Sequence, residues 1–189
     1  MSYLVIGLIL FLGIHSISIV APGWRDARAA AMGEVPWKGL YAIISIAGFA
    51  LLLYGYGLAR QQPAVLYTPP AAMRHLAMLL MLPVFPLLLA AYLPGRLKRA
   101  AKHPMLLAVK FWALAHLLVN GTLADVLLFG GFLAWAVADR ISMKHRTQRP
   151  LPGAPASPAN DVIAVVGGLA IYVLFVFWAH GALIGIALA

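Results

Sequence analysis

His15 and His116 are the side chains best placed to do chemistry in this chain. The first sits in Leu12-Gly13-Ile14-His15-Ser16 and the second in Trp112-Ala113-Leu114-Ala115-His116, each inside an apolar stretch of membrane-spanning character. An ionisable group at membrane depth is costly, so it marks a pairing, a ligand or a proton path. Neutral imidazole is a good iron ligand, and an apolar helical bundle with facing histidines is a natural haem site. The alternative is two core histidines, each bonded to a backbone carbonyl or a serine. The sequence offers no evident buried carboxylate to account for either ring. At the rise of an α-helix the two lie about 9 and 16 Å below the basic end of their helices, a gap that helix tilt must close if they share one ligand.

The remaining polar residues fit simpler roles. His75 and His180 fall near helix ends, where interfacial polar groups cost little. His103 precedes Pro104 at a basic helix start and could orient a phosphate or headgroup, whereas His145 in Lys144-His145-Arg146 belongs to a solvated face. Asp125, near the Asn120-Gly121 turn, is a helix cap or else a partner for a histidine's second nitrogen. Lys110 snorkels toward headgroups, and Glu34 is a surface partner for Arg25 or Arg28. Cysteine is absent, and no Ser-His-Asp order, Walker loop, GxGxxG or HExxH occurs. A zinc-type site has too few close ligands.

The elements that must position these groups are apolar stretches. Hydrophobic residues make up 63% of the 189 and charged residues 10%, against roughly 25% charged in soluble domains. Stretches of about 20 apolar residues cross a bilayer, and six are expected: Ser2–Val20, Gly39–Leu58, His75–Leu93, Met105–Asn120, Thr122–Ala138 and Val162–His180. The expected fold is therefore all-α, a polytopic integral membrane bundle forming one transmembrane domain over residues 1–189. The first stretch reads as a retained helix, because the basic segment after Ala21-Pro22-Gly23 lacks the features of a cleavage site. Residues 24–38 read as a loop with two interfacial tryptophans. Ser45, Gly48, Gly55 and Gly57 in the second helix invite close helix packing. Pro83 and Pro86 kink the third. Asn120-Gly121-Thr122 is the tight turn of a hairpin between helices four and five. Arg149 to Pro158 is a proline-rich, mobile linker, after which Asn160 or Asp161 caps the last helix.

The net charge of +9 is distributed by side. Arg25, Arg28, Lys38, Arg96, Lys98, Arg99, Lys102, Arg140, Lys144, Arg146 and Arg149 fall on one face, against Arg60 and Arg74 on the other. The positive-inside rule makes the basic face cytoplasmic and puts both termini outside the cytoplasm, in a bacterial inner membrane. The basic face then meets anionic lipid headgroups, and nucleic acid is not the expected partner. Oligomeric state is not legible.

Six linked words carry a family resemblance. Gly13-Ile14-His15-Ser16, Ala21-Pro22-Gly23-Trp24-Arg25, the run from Gly33 to Tyr41, Lys102-His103-Pro104-Met105-Leu106, the run from Trp112 to Gly121 and Ala138-Asp139-Arg140-Ile141-Ser142 resemble the NnrU family. That family is associated with nitrite and nitric oxide reduction in denitrifying bacteria, and the zeta-carotene isomerases, haem b enzymes acting on a 15-cis polyene, are its relatives. The resemblance implies haem b with axial ligands at His15 and His116. Its propionates would then meet cations such as Arg25, Arg28, Lys102 or Lys110. The isomerase cysteine three residues before the second histidine is Ala113 here, so thiolate ligation is excluded at that position. Three functions follow as expectations: redox-dependent cis–trans isomerisation of an apolar polyene, a haem-binding sensor or assembly factor for nitrogen-oxide respiration, and, last, methyl transfer. The last rests on Lys102-His103-Pro104, similar to an Arg-His-Pro element of S-adenosylmethionine-dependent membrane methyltransferases, whose paired glutamates have no match at Asp139 to Lys144.

Overall fold

A computed structural model describes every residue except Gln148, Pro150, Leu151 and Ala189. The chain is 75% helical, with no strand among the described residues. The helices are α1 (Ser2–Val20), α2 (Pro22–Met32), α3 (Glu34–Ala59), α4 (Met73–Met81), α5 (Val84–Tyr92), α6 (Arg96–Ala101), α7 (Pro104–Leu117), α8 (Leu123–Ser142) and α9 (Asn160–Ile184). By length and composition α1, α3, the α4–α5 pair and α9 can each cross a membrane, and α7 is a shorter apolar helix. Each of the six expected stretches is thus helical, and the fold is an all-α membrane bundle. Asp125, Asp139 and Arg140 place charge near both ends of α8, whose middle is apolar. Outward faces carry exposed Ile9, Ile43, Ile46, Phe177 and Leu183, a distribution suited to lipid rather than water.

The chain divides into two compact units, Met1–Pro70 with Asn120–Gln148, and Ala71–Val119 with Arg149–Ala189. In the first unit α1 packs along α3. The close approach depends on glycine: a Cβ on Gly48 would lie 2.7 Å from the Phe11 backbone nitrogen, and one on Gly55 would collide with the Tyr3–Leu4 backbone. Without side chains there, the two backbones gain dispersion contacts that lipid cannot supply. Gly57, expected to act similarly, faces open space. The segment before Pro70 is extended and anchored on the turn preceding α8. Leu66 and Tyr67 donate backbone N–H groups to Gly121 O at 2.8 and 3.1 Å, and the Tyr67 hydroxyl donates to Asn120 O at 2.8 Å. Burial, then the nearby Asp125 carboxylate, raise the Tyr67 phenol above its ordinary range.

The expected loop after α1 is instead α2. Pro22 at its first turn lacks only a donor that would be unsatisfied anyway, and Ala29 docks while Asp26 and Arg28 remain outside. The run Arg28-Ala29-Ala30-Ala31-Met32 has good helix propensity. Gly33, at φ 84°, ends it and lets α3 begin at Glu34, earlier than expected. Glu34 pairs with Lys38 at 2.7 Å rather than with Arg25 or Arg28, because the i,i+4 spacing puts them on one face.

In the second unit the prolines act as expected. Pro83 and Pro86 remove donors, so α4 ends at Met81 and α5 restarts at Val84, with Leu87 N–H donating to Pro83 O at 2.9 Å. Val84, Leu87 and Ala108 form a core with Met81, Phe111 and Trp112 around it. α9 contains two π-helical stretches, Ile163–Gly167 and Phe175–Ala179. The expected cap on α9 is not made. Asp161 instead accepts the backbone N–H groups of Arg96 and Leu97 at 2.8 and 2.9 Å, capping α6, and Asn160 donates to Pro94 O and Pro155 O. Pro94-Gly95 delivers the free N–H groups of α6 to a carboxylate, and a helix start favours negative charge. The expected linker passes through Pro150 and Leu151, which lie outside the described residues. Further on it is tied, with Ala154 N–H donating to Tyr92 O at 2.8 Å.

Candidate functional site

Each membrane-depth histidine bonds back to its own helix. His15 Nδ1 lies 2.6 Å from Phe11 O, and His116 Nδ1 lies 2.7 Å from Trp112 O, both four residues earlier. A carbonyl can only accept, so Nδ1 carries the proton and Nε2, across the ring, carries the lone pair. A second hydrogen bond that fixes tautomer and ring plane is what a metal-binding histidine needs. A core histidine bonded to a backbone carbonyl has the same local geometry, so the surroundings must distinguish them.

The His15 ring is enclosed by aromatic side chains from three helices. Its centroid lies 4.3 Å from that of Phe11, 5.2 Å from Tyr41 on α3 and 6.0 Å from Trp135 on α8, the last almost perpendicular at 88°. Phe11 also meets Phe49 and Phe132. One turn beyond Trp135, buried Asp139 pairs with Arg146 at 2.5 Å and takes a hydrogen bond from Ser142 Oγ. Asp139 is close enough to act electrostatically on His15 and Tyr41. The expectation of no buried carboxylate is thereby corrected, since Asp139 and Asp125 are both buried. Asp125 closes a capping box with Thr122, as the cap reading expected, and also ties α8 to α3 by accepting the Tyr56 hydroxyl at 2.6 Å.

The other expected site residues divide between the units. Arg25 lies in the first, over the Trp37 ring at 5.7 Å and paired with Asp26 at 3.1 Å, within electrostatic range of Tyr41. Arg28 lies over Trp24. His116, Lys102 and Lys110 belong to the second unit. Lys102 ends α6 with φ 59°, a backbone region that a side chain disfavours. Lys110 and His116 are separated by about 9 Å of helix rise and lie about 120° apart around α7, so they do not share a face. The His116 ring meets Trp112 with centroids 5.3 Å apart. His103 precedes α7 without a side-chain cap, His145 is exposed as expected, and His180 Nδ1 is 2.7 Å from Ile186 O. Among the described residues no three His, Asp or Glu side chains cluster as a metal site would require. A cavity of about 570 Å³ in the second unit is lined by Arg96, Arg99, Ser157 and Asp161, and by none of the candidate ligands.

Tyr41, Trp135, Asp139 and Arg146 were not singled out as site residues in the sequence. The available signal was Asp139 itself, an acid in an apolar helix five positions before the basic run Lys144-His145-Arg146, which asks for a buried partner.

No curated protein matches this chain in sequence, and no solved structure matches its fold. The family model for NnrU protein matches residues 3–188, nearly the whole length. With His15, His116 and Asp139 all inside the matched region, the chain belongs to the NnrU family.

Proposed function

We propose that this NnrU-family membrane protein binds haem b, with His15 and His116 as its axial ligands. The observation that supports this best is the shared Nδ1 bond to the carbonyl four residues back, which commits Nε2 of each imidazole to the lone-pair role. The donor set suits the group: neutral imidazoles in apolar surroundings, with aromatic rings beside His15 to cover a porphyrin edge. Bound haem would supply one-electron redox chemistry. The residues themselves hold ring planes, exclude water through Phe11 and Phe132, and keep a charge pair at Asp139 and Arg146.

For activity, the favoured reading is redox-dependent cis–trans isomerisation of an apolar polyene that reaches the site from the bilayer. It rests on the similarity of the two histidine words to those of zeta-carotene isomerases. Ala113 removes the cysteine found in that pattern, so any ligand change here must involve a histidine. The second reading, a haem-binding sensor or assembly factor for nitrogen-oxide respiration, is favoured by the family association. Incubation of haem-loaded protein with a 15-cis polyene, with and without reductant, separates them. Trans product formed only in the reduced sample supports the first; no product in either removes it. The charge asymmetry supports both termini outside the cytoplasm, and a C-terminal reporter active only in the cytoplasm should then stay silent.

A further inference from the structure

Among the described residues, the buried polar side-chain atoms without a hydrogen-bond partner are Ser45 Oγ, Trp135 Nε1 and Arg146 Nε. All belong to the first unit. An orphaned buried donor is costly, so three in one region demand an account. Their positions relate them to His15. Trp135 stands perpendicular to the His15 ring. Ser45 lies one helical turn after Tyr41, which touches that ring, and one turn before Gly48, which meets Phe11; these positions share a face of α3. Arg146 is joined to the group through Asp139, whose charge reaches both His15 and Tyr41.

The chemistry of the orphans narrows the ligand. An indole N–H and a guanidinium N–H can only donate, and a serine hydroxyl can donate. A set of donors calls for an oxygen acceptor, and a planar guanidinium matches an oxyanion, of which a carboxylate is the one commonly carried on an apolar body. Asp139 already holds one end of that guanidinium through Nη2, orienting it, while its Nε is buried with no partner. Because Asp139 offsets the Arg146 charge, the anion also draws on Arg25, which lies near Tyr41. The surrounding Phe11, Phe49 and Phe132 rings suit an apolar body attached to the anion.

We propose that the His15 end of the first unit receives a carboxylate carried on a large apolar molecule, with Arg146 as its anchor and Trp135 and Ser45 as further donors. A haem propionate and a free long-chain acid carry this same group. The proposal rests on and deepens the haem reading at the same histidine, and it replaces Lys102 and Lys110 as the expected cationic partners of the propionates.

The test compares acid with ester. Full-length protein in detergent is titrated with haem b and its dimethyl ester, followed by Soret absorbance. A second pair is a brominated long-chain fatty acid and its methyl ester, followed by tryptophan quenching. In at least one pair the acid should bind about tenfold tighter or more, the worth of a charge-assisted bond. Arg146→Gln should abolish the preference. So should the double variant Asp139→Asn with Arg146→Gln, which leaves no unpaired buried charge and guards against misfolding. Trp135→Phe should narrow the preference, and Arg99→Gln in the second unit should leave it intact. A preference in the haem pair identifies a propionate. A preference in the fatty-acid pair alone sustains the carboxylate site while the haem reading falls. Equal binding of acid and ester in both pairs, or a preference that survives the double variant, overturns the proposal whatever the haem absorbance shows.

Discussion

In the first unit the His15 ring is flanked by Phe11, Tyr41 and Trp135 from three helices, and a buried ion pair stands one turn away. In the second unit His116 makes the same backbone bond, and its ring lies tilted against Trp112 of its own helix. The local rule is identical, since any histidine whose carbonyl neighbour lies four residues back can make it. The surroundings are not. At His15 the ring contacts come from α3 and α8 as well as α1, whereas the ring contact of His116 with Trp112 lies within α7. The acids differ in parallel: Asp139 is buried against Arg146, while Asp161 works at an exposed helix start. The first unit is therefore the more demanding of its polar residues, and the second of its apolar core.

Substitution can break this contrast. The largest effect is expected for Asp139→Ala, which strands the Arg146 guanidinium and should cost about 3–5 kcal/mol, read by denaturant unfolding in mild detergent. Much of that loss should return in the Asp139→Asn, Arg146→Gln protein; if it does not, Asp139 matters for something other than its partner. Next comes Leu87→Ala in the second unit, expected to cost about 2–4 kcal/mol by opening the Val84–Ala108 core, again from unfolding curves. Thr122→Ala removes one half of the capping box on α8 and should cost about 1 kcal/mol. The smallest change is expected for Glu34→Gln, whose pair with Lys38 is exposed on both sides, and its unfolding midpoint should match the parent's. A Glu34 variant as damaging as Asp139→Ala would erase the distinction between the two kinds of charge pair.

The helices were readable because lipid leaves a simple trace, long apolar stretches separated by basic segments. Pro83 and Pro86 announced the break between α4 and α5 for the equally local reason that proline lacks a donor. What could not be read depends on partners far along the chain. Asp161 looked like a cap for its own helix, yet its carboxylate serves Arg96 and Leu97, more than sixty positions earlier. Residues 22–32 looked like a loop because their charges disguised good helix formers. Both ligand candidates were visible as ionisable groups at membrane depth. The ring cage was not, since it arises only when α1, α3 and α8 assemble, and the Asp139–Arg146 pair depends on the turn after α8 that brings Arg146 back toward Asp139. The π-helical stretches of α9 left no pattern in the sequence that periodicity could detect.

The central claim is axial ligation by His15 and His116, and the visible absorption spectrum of purified, reduced protein tests it most directly. The account predicts a six-coordinate, low-spin haem with sharp α and β bands. His15→Ala and His116→Ala should each convert it to a five-coordinate form or strip the haem, while His145→Ala leaves it unchanged. No Soret band after haem supplementation, or a low-spin spectrum that survives either alanine variant, would contradict the claim.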